Sequence, residues 1–247
     1  MRNGEVSYWW QAHGIPPRRP SLPGSAEADV CIVGAGYTGL WTAYYLKRAD
    51  PRLRVVVLEA AFAGYGASGR NGGWVTAGLP GSRARYAASP QGRNGVRELE
   101  RQLRDTVDEV ARVCAAEGID AGLVKGGTLT VATSPAQDTR LRHQLEQERS
   151  WGDDSEVVRY LTKEELAERM RVAGAVGALY SPHCARIQPA DLVAGPGEGI
   201  GQAGHQIRGL DPGAVRRVQG PDGARHPHPR GQLLFAQIPN DLGIIAP

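Results

Sequence analysis

The stretch ADVCIVGAGYTGLWTAYYLKRADPRLRVVVLE, residues 28–59, decides the fold of this chain. Its apolar residues 30–33 are followed directly by the motif Gly34-x-Gly36-x-x-Gly39, and the residues after the motif have a helical pattern. A strand, three glycines at this spacing and a helix are typical of the first turn of a dinucleotide-binding fold. Gly34 permits the tight turn, Gly36 lets the backbone approach a pyrophosphate, and Gly39 lets the helix pack closely on the strand.

The remainder of the stretch completes a β-α-β unit. Pro51 interrupts the helical pattern, residues 55–58 form a second apolar run, and Glu59 follows 20 residues after Gly39. The free N–H groups and the positive dipole end of a helix N-terminus attract phosphate. An acid at the tip of the second strand can accept hydrogen bonds from a ribose hydroxyl. The sequence therefore predicts a Rossmann-like α/β fold that binds a dinucleotide.

Composition favours a globular chain whose partner is a small molecule. The 247 residues are 41% hydrophobic and 22% charged, with a net charge of +3. Scattered basic residues argue against a nucleic-acid surface. No apolar run reaches membrane-spanning length, and the first residues lack the apolar segment of a secretory signal. We expect a cytoplasmic location with no nucleic-acid or membrane partner, and nothing in the sequence indicates an oligomeric state.

The cysteines suit neither a disulfide framework nor a metal site, because they are three in number and widely spaced: Cys31, Cys114 and Cys184. No other cluster of metal-ligating residues is evident, so no metal is predicted. Cys31 lies within the first apolar run, where we expect a small core residue.

The chain divides into four predicted segments, a Pro-rich aromatic arm (1–27), a nucleotide-binding region (28–118), part of a second domain (119–193) and a Gly- and Pro-rich tail (194–247). In the arm, Tyr8, Trp9 and Trp10 either pin a surface segment or form a lid or partner contact. The tail has 11 Gly and 7 Pro, and its apolar residues show no sustained period before Leu233. We therefore expect no regular structure there.

Periodicity and capping residues predict further helices and strands within 28–193. Two helices are expected from apolar residues at three- and four-residue steps, and a third from Thr162 and Glu165, which match a capping box. The predicted elements are helices over 95–117 and 136–150, a helix from Thr162 to about Met170, strands over 123–132 and 175–180, and a helix that begins at Pro189.

A second glycine-rich segment, GASGRNGG at residues 66–73, follows the second strand. So many glycines are costly to order unless the backbone must come close to something. The hydroxyl of Ser68, the guanidinium of Arg70 and the amide of Asn71 suit phosphate and the polar edge of a heterocycle. This segment is therefore a candidate second wall of the nucleotide site.

Together the two motifs resemble the FAD-dependent oxidoreductases of the D-amino-acid oxidase type, with the γ-glutamylputrescine oxidase-like subgroup nearest. The aromatic arm and the segment LYSPHCARIQPADLV, residues 179–193, are similar to the same subgroup. The resemblance implies FAD as the cofactor and a Rossmann-like FAD domain interrupted by a mixed α+β substrate domain, here incomplete. It also implies oxidation of a C–N bond in an amine or amino acid by hydride transfer to the flavin.

The same resemblance implies which residues bind FAD. Gly34, Gly36 and Gly39 would hold the pyrophosphate, and Glu59 the adenosine ribose. The residues that would run beside the pyrophosphate and the flavin are Ser68, Arg70, Asn71, Gly72 and Gly73. We expect His183 and Cys184 to be structural, and the sequence identifies no catalytic residue.

Two alternatives stay open. An NAD-dependent dehydrogenase would use the same β-α-β unit and Glu59, although the loop at 66–73 favours FAD. The second alternative is a non-catalytic remnant. Members of the family are longer, and in this chain the family pattern stops at about Val193, within a predicted helix. A shift of reading frame at that point would explain the tail, whose excess of arginine over lysine fits a GC-rich gene.

Overall fold

The predicted β-α-β unit is present, and it forms the first part of a parallel sheet. The computed structural model describes residues 6–152, 157–194 and 206–209. Strand β1 (Val30–Val33) pairs in parallel with β2 (Val55–Glu59), and helix α2 (Tyr37–Ala49) connects them. Helix α2 ends at Asp50, whose N–H donates to the Leu46 carbonyl, and Pro51 follows. The prediction for residues 28–59 is confirmed.

A third strand, β8 (Gln206–Gly209), extends this sheet in the order β1-β2-β8. It pairs in parallel with β2, where Gln206 lies opposite Val56. We expected no regular structure in 194–247, and for these four residues that prediction is wrong. The strand is too short to show a periodicity, and it forms by pairing with residues 150 positions earlier. The rest of the tail, from residue 195, lies outside the described residues.

Helix α4 (Gly92–Ala116) confirms the predicted amphipathic helix over 95–117. Its buried residues Val110, Val113 and Cys114 join the core that α2 forms with the first two strands. A short helix, α3 (Arg83–Ala87), precedes it. Like the other helices in the described part of the chain, α4 is not long and apolar enough to cross a membrane.

Residues 119–193 contribute an antiparallel sheet of three strands and one strand of a two-stranded sheet. The strands are β3 (Trp74–Thr76), β4 (Thr128–Ala132), β5 (Arg159–Thr162), β6 (Gly177–Ser181) and β7 (Cys184–Arg186), and the helices of this part are α5 (Pro135–Ser150), α6 (Lys163–Arg169) and α7 (Pro189–Ala194). The three-stranded sheet has the order β4-β6-β5, and β7 pairs with β3, which comes from the first half of the chain.

The capping box at α6 is present as predicted, since Thr162 Oγ1 accepts from the Glu165 N–H and Glu165 Oε2 accepts from the Thr162 N–H. The prediction for Cys31 is wrong, because its side chain is exposed. Helix α2 packs on the opposite face of β1, against Val30 and Ile32. Alternation along the strand therefore directs Cys31 away from that core.

Replacing Gly39 with alanine should destabilise the fold by about 2–3 kcal/mol, since overpacking that a backbone atom cannot relieve is costly. A Cβ there would collide with the Gly34 carbonyl oxygen and lie 3.2 Å from Ile32 Cγ2. Gly66→Ala is the matched control, because a Cβ at Gly66 meets no described atom within 4 Å. It should change the free energy of unfolding, measured with urea, by less than about 1 kcal/mol. Equal losses in both variants would contradict this account.

Candidate functional site

The glycine motif places the N-terminus of α2 at the end of β1. Gly34 has φ 102°, in the left-handed region that favours glycine, and its N–H donates to the Leu58 carbonyl at 2.7 Å. Gly36 is the N-cap residue of α2. The first amides of a helix have no acceptor within the helix. This turn therefore presents backbone N–H groups and the positive end of the helix dipole.

Glu59 reaches the same turn from the tip of β2. Its Oε2 accepts from the Ala35 N–H at 2.9 Å, and its Oε1 accepts from the Ala61 N–H at 3.0 Å. The carboxylate thereby joins the glycine motif to the segment that follows β2. The predicted position of Glu59 beside the motif is met, and its contact with a ribose stays a prediction.

Ser68 reaches the turn from the second glycine-rich segment. Its Oγ accepts from the Tyr37 N–H at 2.9 Å, and a Cβ placed on Gly36 would lie 3.0 Å from that oxygen. Ser68 is thus a side-chain cap of α2 supplied 31 residues later in the chain. Oxygen atoms at a helix N-terminus mark the place where a phosphate also binds well.

The Arg70 guanidinium does not reach this turn, and the Asn71 amide contacts it only at the Tyr37 hydroxyl, 3.5 Å from Asn71 Nδ2. Arg70 Nε donates to the Tyr65 carbonyl at 2.7 Å, and its guanidinium lies 4.6 Å from the centre of the Tyr65 ring. Asn71 Nδ2 donates to the Ser68 carbonyl at 2.9 Å, while its Oδ1 accepts from the Gly73 N–H at 2.8 Å. Asn71 therefore shapes the loop, and Arg70 lies on its outer side.

Several glycines of this loop are required by the protein itself. A Cβ on Gly73 would collide with the Ile187 carbonyl oxygen. A Cβ on Gly69 would collide with the Gly64 carbonyl oxygen and lie 2.5 Å from Trp10 Nε1. The sequence predicts that the glycines of this loop let its backbone approach a ligand. At these positions the close neighbour is instead another part of the chain.

The open space lies at other glycines. A Cβ on Gly34, Gly66 or Gly72 would meet no described atom within 4 Å. Combined with the α2 amides and with Glu59 and Ser68, this open backbone fits the phosphates and the ribose of a dinucleotide cofactor. The residues present at the turn therefore suit FAD.

Tyr37 is a site residue that was not predicted from the sequence. Its N–H is the donor to Ser68, and its hydroxyl donates to the Pro189 carbonyl at 3.4 Å. Burial raises the pKa of Tyr37 above its ordinary value. The signal in the sequence was the position of Tyr37 directly after Gly36, because the first residue of α2 faces the second glycine-rich loop.

A cavity of about 400 Å³ opens at the far end of β3, three residues after Gly73. On its wall Arg83 forms ion pairs with Glu100 and Glu148. Glu100 is 4% exposed, and this buried carboxylate is paired with the half-buried Arg83 guanidinium. The wall includes Thr76, Arg83, Glu100, Thr128, Ser181 and His183.

The two residues expected to be structural lie near this cavity. His183 is on its wall. Cys184 is buried, its Sγ accepts from the Trp74 indole N–H, and burial raises the pKa of the thiol. A buried thiol of raised pKa is a poor nucleophile, which agrees with a structural role for Cys184.

Comparison with known proteins identifies the class. The profile of the FAD dependent oxidoreductase family matches residues 29–224, so the chain belongs to this family. The gamma-glutamylputrescine oxidoreductase of Escherichia coli is 31% identical over 202 residues, covering 81% of this chain and 45% of that protein. The chain spans slightly less than half the length of the curated relatives it matches first.

Solved structures agree with that class. The crystal structure of glycine oxidase from Geobacillus kaustophilus is 28% identical, with a TM-score of 0.50 over 75% of this chain and 47% of that one. An L-amino acid deaminase from Proteus vulgaris shares the fold with a TM-score of 0.56 at 21% identity, over 79% of this chain and 47% of that one.

Two predictions are decided by these matches. The family is FAD-dependent, so the class is that of flavin oxidoreductases and not of NAD-dependent dehydrogenases. The match also continues to residue 224, so the prediction that the family pattern stops at about Val193 is wrong. The shift of reading frame at Val193 stays a prediction, which the coding DNA tests directly.

Ser68→Ala should lower the free energy of unfolding by about 1 kcal/mol, because the Tyr37 N–H loses its acceptor. Ser82→Ala is the matched control, since Ser82 precedes α3 without a side-chain capping bond. The control should stay within about 0.5 kcal/mol of the unchanged protein in urea unfolding. A loss in the control as large as in Ser68→Ala would show that the capping bond contributes nothing measurable.

Proposed function

We propose that this chain binds FAD across the turn between β1 and α2 and acts as part of an amine or amino-acid oxidoreductase. One observation carries the proposal. Glu59 and Ser68 come from separate segments, yet their oxygens lie within hydrogen-bond distance of amides of the same turn, Ala35 and Tyr37. A ribose acceptor and a phosphate-binding helix terminus are the two groups that the adenosine end of FAD requires.

The proposed roles follow from these positions. The amides of the Gly34, Gly36 and Gly39 motif hold the pyrophosphate, and the Glu59 carboxylate accepts from the adenosine ribose. The Ser68 hydroxyl contributes a phosphate contact in addition to its bond with Tyr37. The residues proposed to line the path of the cofactor beyond the turn are Arg70, Asn71, Gly72 and Gly73.

Bound FAD supplies the hydride acceptor for oxidation of a C–N bond. The chain contributes binding and orientation. Its own groups hold the cofactor at the α2 N-terminus, and Asn71 keeps the loop turned so that Gly72 and Gly73 run on towards β3. The location in the cytoplasm and the absence of nucleic-acid and membrane partners stay predictions from composition.

The proposed substrate class is a small amine or amino acid, in line with the names of the relatives, a gamma-glutamylputrescine oxidoreductase, a glycine oxidase and an L-amino acid deaminase. The cavity beyond Thr76 is of the size of small-molecule sites. Charged groups of both signs lie on its wall, namely Glu100 and Glu148, which pair with Arg83, and Arg104.

Glu59→Gln should weaken FAD binding by roughly tenfold or more, because a bond from a hydroxyl to a charged acceptor is replaced by a neutral one. The effect should vanish for FMN, which lacks the adenosine ribose. Flavin fluorescence titration of the full chain measures both. Glu146→Gln, an exposed carboxylate on α5, is the matched control and should bind FAD as the unchanged chain does.

The same titration decides between the enzyme and the non-catalytic remnant. If the folded, unchanged chain does not bind FAD, the remnant is correct. If it binds, glycine and γ-glutamylputrescine are added without oxygen. Loss of the oxidised flavin absorbance with one of them would show that this chain carries the activity.

A further inference from the structure

The N-terminal arm packs directly on the second glycine-rich loop. Helix α1 (Tyr8–His13) buries Trp10, which is 3% exposed and meets the Phe62 ring edge-to-face with 5.0 Å between ring centres. Ala190, at the start of α7, lies in the same cluster. This packing agrees with one of the two predictions for the arm, a surface segment pinned by its aromatic residues.

The arm also binds two carbonyl groups of the loop. Ser7 Oγ donates to the Gly69 carbonyl at 2.8 Å, and Trp9 Nε1 donates to the Asn71 carbonyl at 2.7 Å. These bonds join residues 62 positions apart. Backbone carbonyls in a loop need such partners when strand neighbours do not provide them. The bonded carbonyls lie one and three residues after Ser68, the cap of α2.

Steric fit links the arm to the choice of glycine in the loop. A Cβ on Gly69 would lie 2.5 Å from Trp10 Nε1, and one on Gly64 would lie 3.2 Å from Trp10 Cζ2. At the other end of α1, His13 Nδ1 lies 3.0 Å from Asp191 Oδ1 on α7. The arm is therefore fixed both to the loop and to the helix behind it.

We propose that Ser7, Trp9 and Trp10 form a clamp that holds the second glycine-rich loop in its cofactor-binding form, with Trp10 and Trp9 as positioning residues for FAD. The expected effect on FAD affinity rests on the proposed function, whereas the restraint of the loop by the arm does not. A loop so rich in glycine has many accessible conformations, and only those with Ser68 at Tyr37 match the site. The apparent affinity for FAD falls in proportion to the fraction of molecules whose loop is in this form, so releasing the clamp weakens FAD binding.

The mechanism is tested in the cofactor-free full chain by amide hydrogen exchange of residues 64–73. Trp10→Ala should speed exchange in this loop at least tenfold and leave helix α5 unchanged. Gln11→Ala is the matched control, because Gln11 is on the same helix and exposed. It should exchange as the unchanged chain does. Equal loop exchange in Trp10→Ala and Gln11→Ala would overturn the clamp.

Two conservative variants keep the test informative if Trp10→Ala does not fold. Trp9→Phe removes the N–H that binds the Asn71 carbonyl but retains a ring, and it should speed loop exchange at least threefold with an unchanged melting temperature. Trp10 Nε1 has no hydrogen-bond partner among the described residues, so Trp10→Phe should retain most of the protection. Full protection in Trp9→Phe would overturn the proposed bond to the loop.

The consequence for the cofactor is measured separately by FAD fluorescence titration. Trp10→Ala should raise the dissociation constant at least tenfold, whereas Gln11→Ala should leave it within twofold. If the unchanged chain does not bind FAD, the proposed function fails while the exchange experiment still decides the clamp. If it binds FAD and Trp10→Ala binds equally well, the positioning role is overturned.

Discussion

The close approach of helix α2 to strand β1 is the constraint on which the rest of the structure depends. A Cβ at Gly39 would collide with the Gly34 carbonyl oxygen, so the helix can take this position only with glycine there. The approach brings the α2 N-terminus to the carboxyl end of the first two strands. Glu59 at the tip of β2 can then reach the Ala35 N–H. If the helix lay further from the strand, the Glu59 carboxylate and the Ala35 N–H would be too far apart to form a hydrogen bond.

Around this turn the structure adds contacts from increasingly distant parts of the chain. Ser68 caps α2 from the second loop, and α1 holds that loop through Trp9 and Trp10. Each hydrogen bond contributes about 1 kcal/mol, so no single one defines the loop. Their combination does, because Ser68 is followed directly by Gly69, whose carbonyl the arm binds. The proposed cofactor site is thus local at the turn and assembled from remote segments everywhere else.

This difference explains what could be predicted from the sequence. The β-α-β unit, α4 and the capping box at Thr162 follow from spacing within a few turns of chain, and the structure contains them. Strand β8 and the β3–β7 pair arise from pairing between distant segments, and short strands carry no periodic pattern. Glycine at 69 is required by the Gly64 carbonyl oxygen and also by Trp10, 59 residues away, and no local motif reveals the contact with Trp10. The Arg70 guanidinium suits phosphate by its chemistry, and its bond to the Tyr65 carbonyl could not be predicted from a motif.

The family fixes the flavin class, and the half-length match to relatives leaves binding by this chain as the central claim. The most direct test is a ¹⁵N–³¹P correlation experiment on the labelled chain with FAD. Scalar coupling across hydrogen bonds should give cross-peaks between the FAD phosphorus atoms and the amide of Gly36 or Thr38, since the Tyr37 N–H donates to Ser68. Cross-peaks from another segment alone, or none from a chain that holds FAD, would contradict the assignment of the pyrophosphate to the α2 N-terminus.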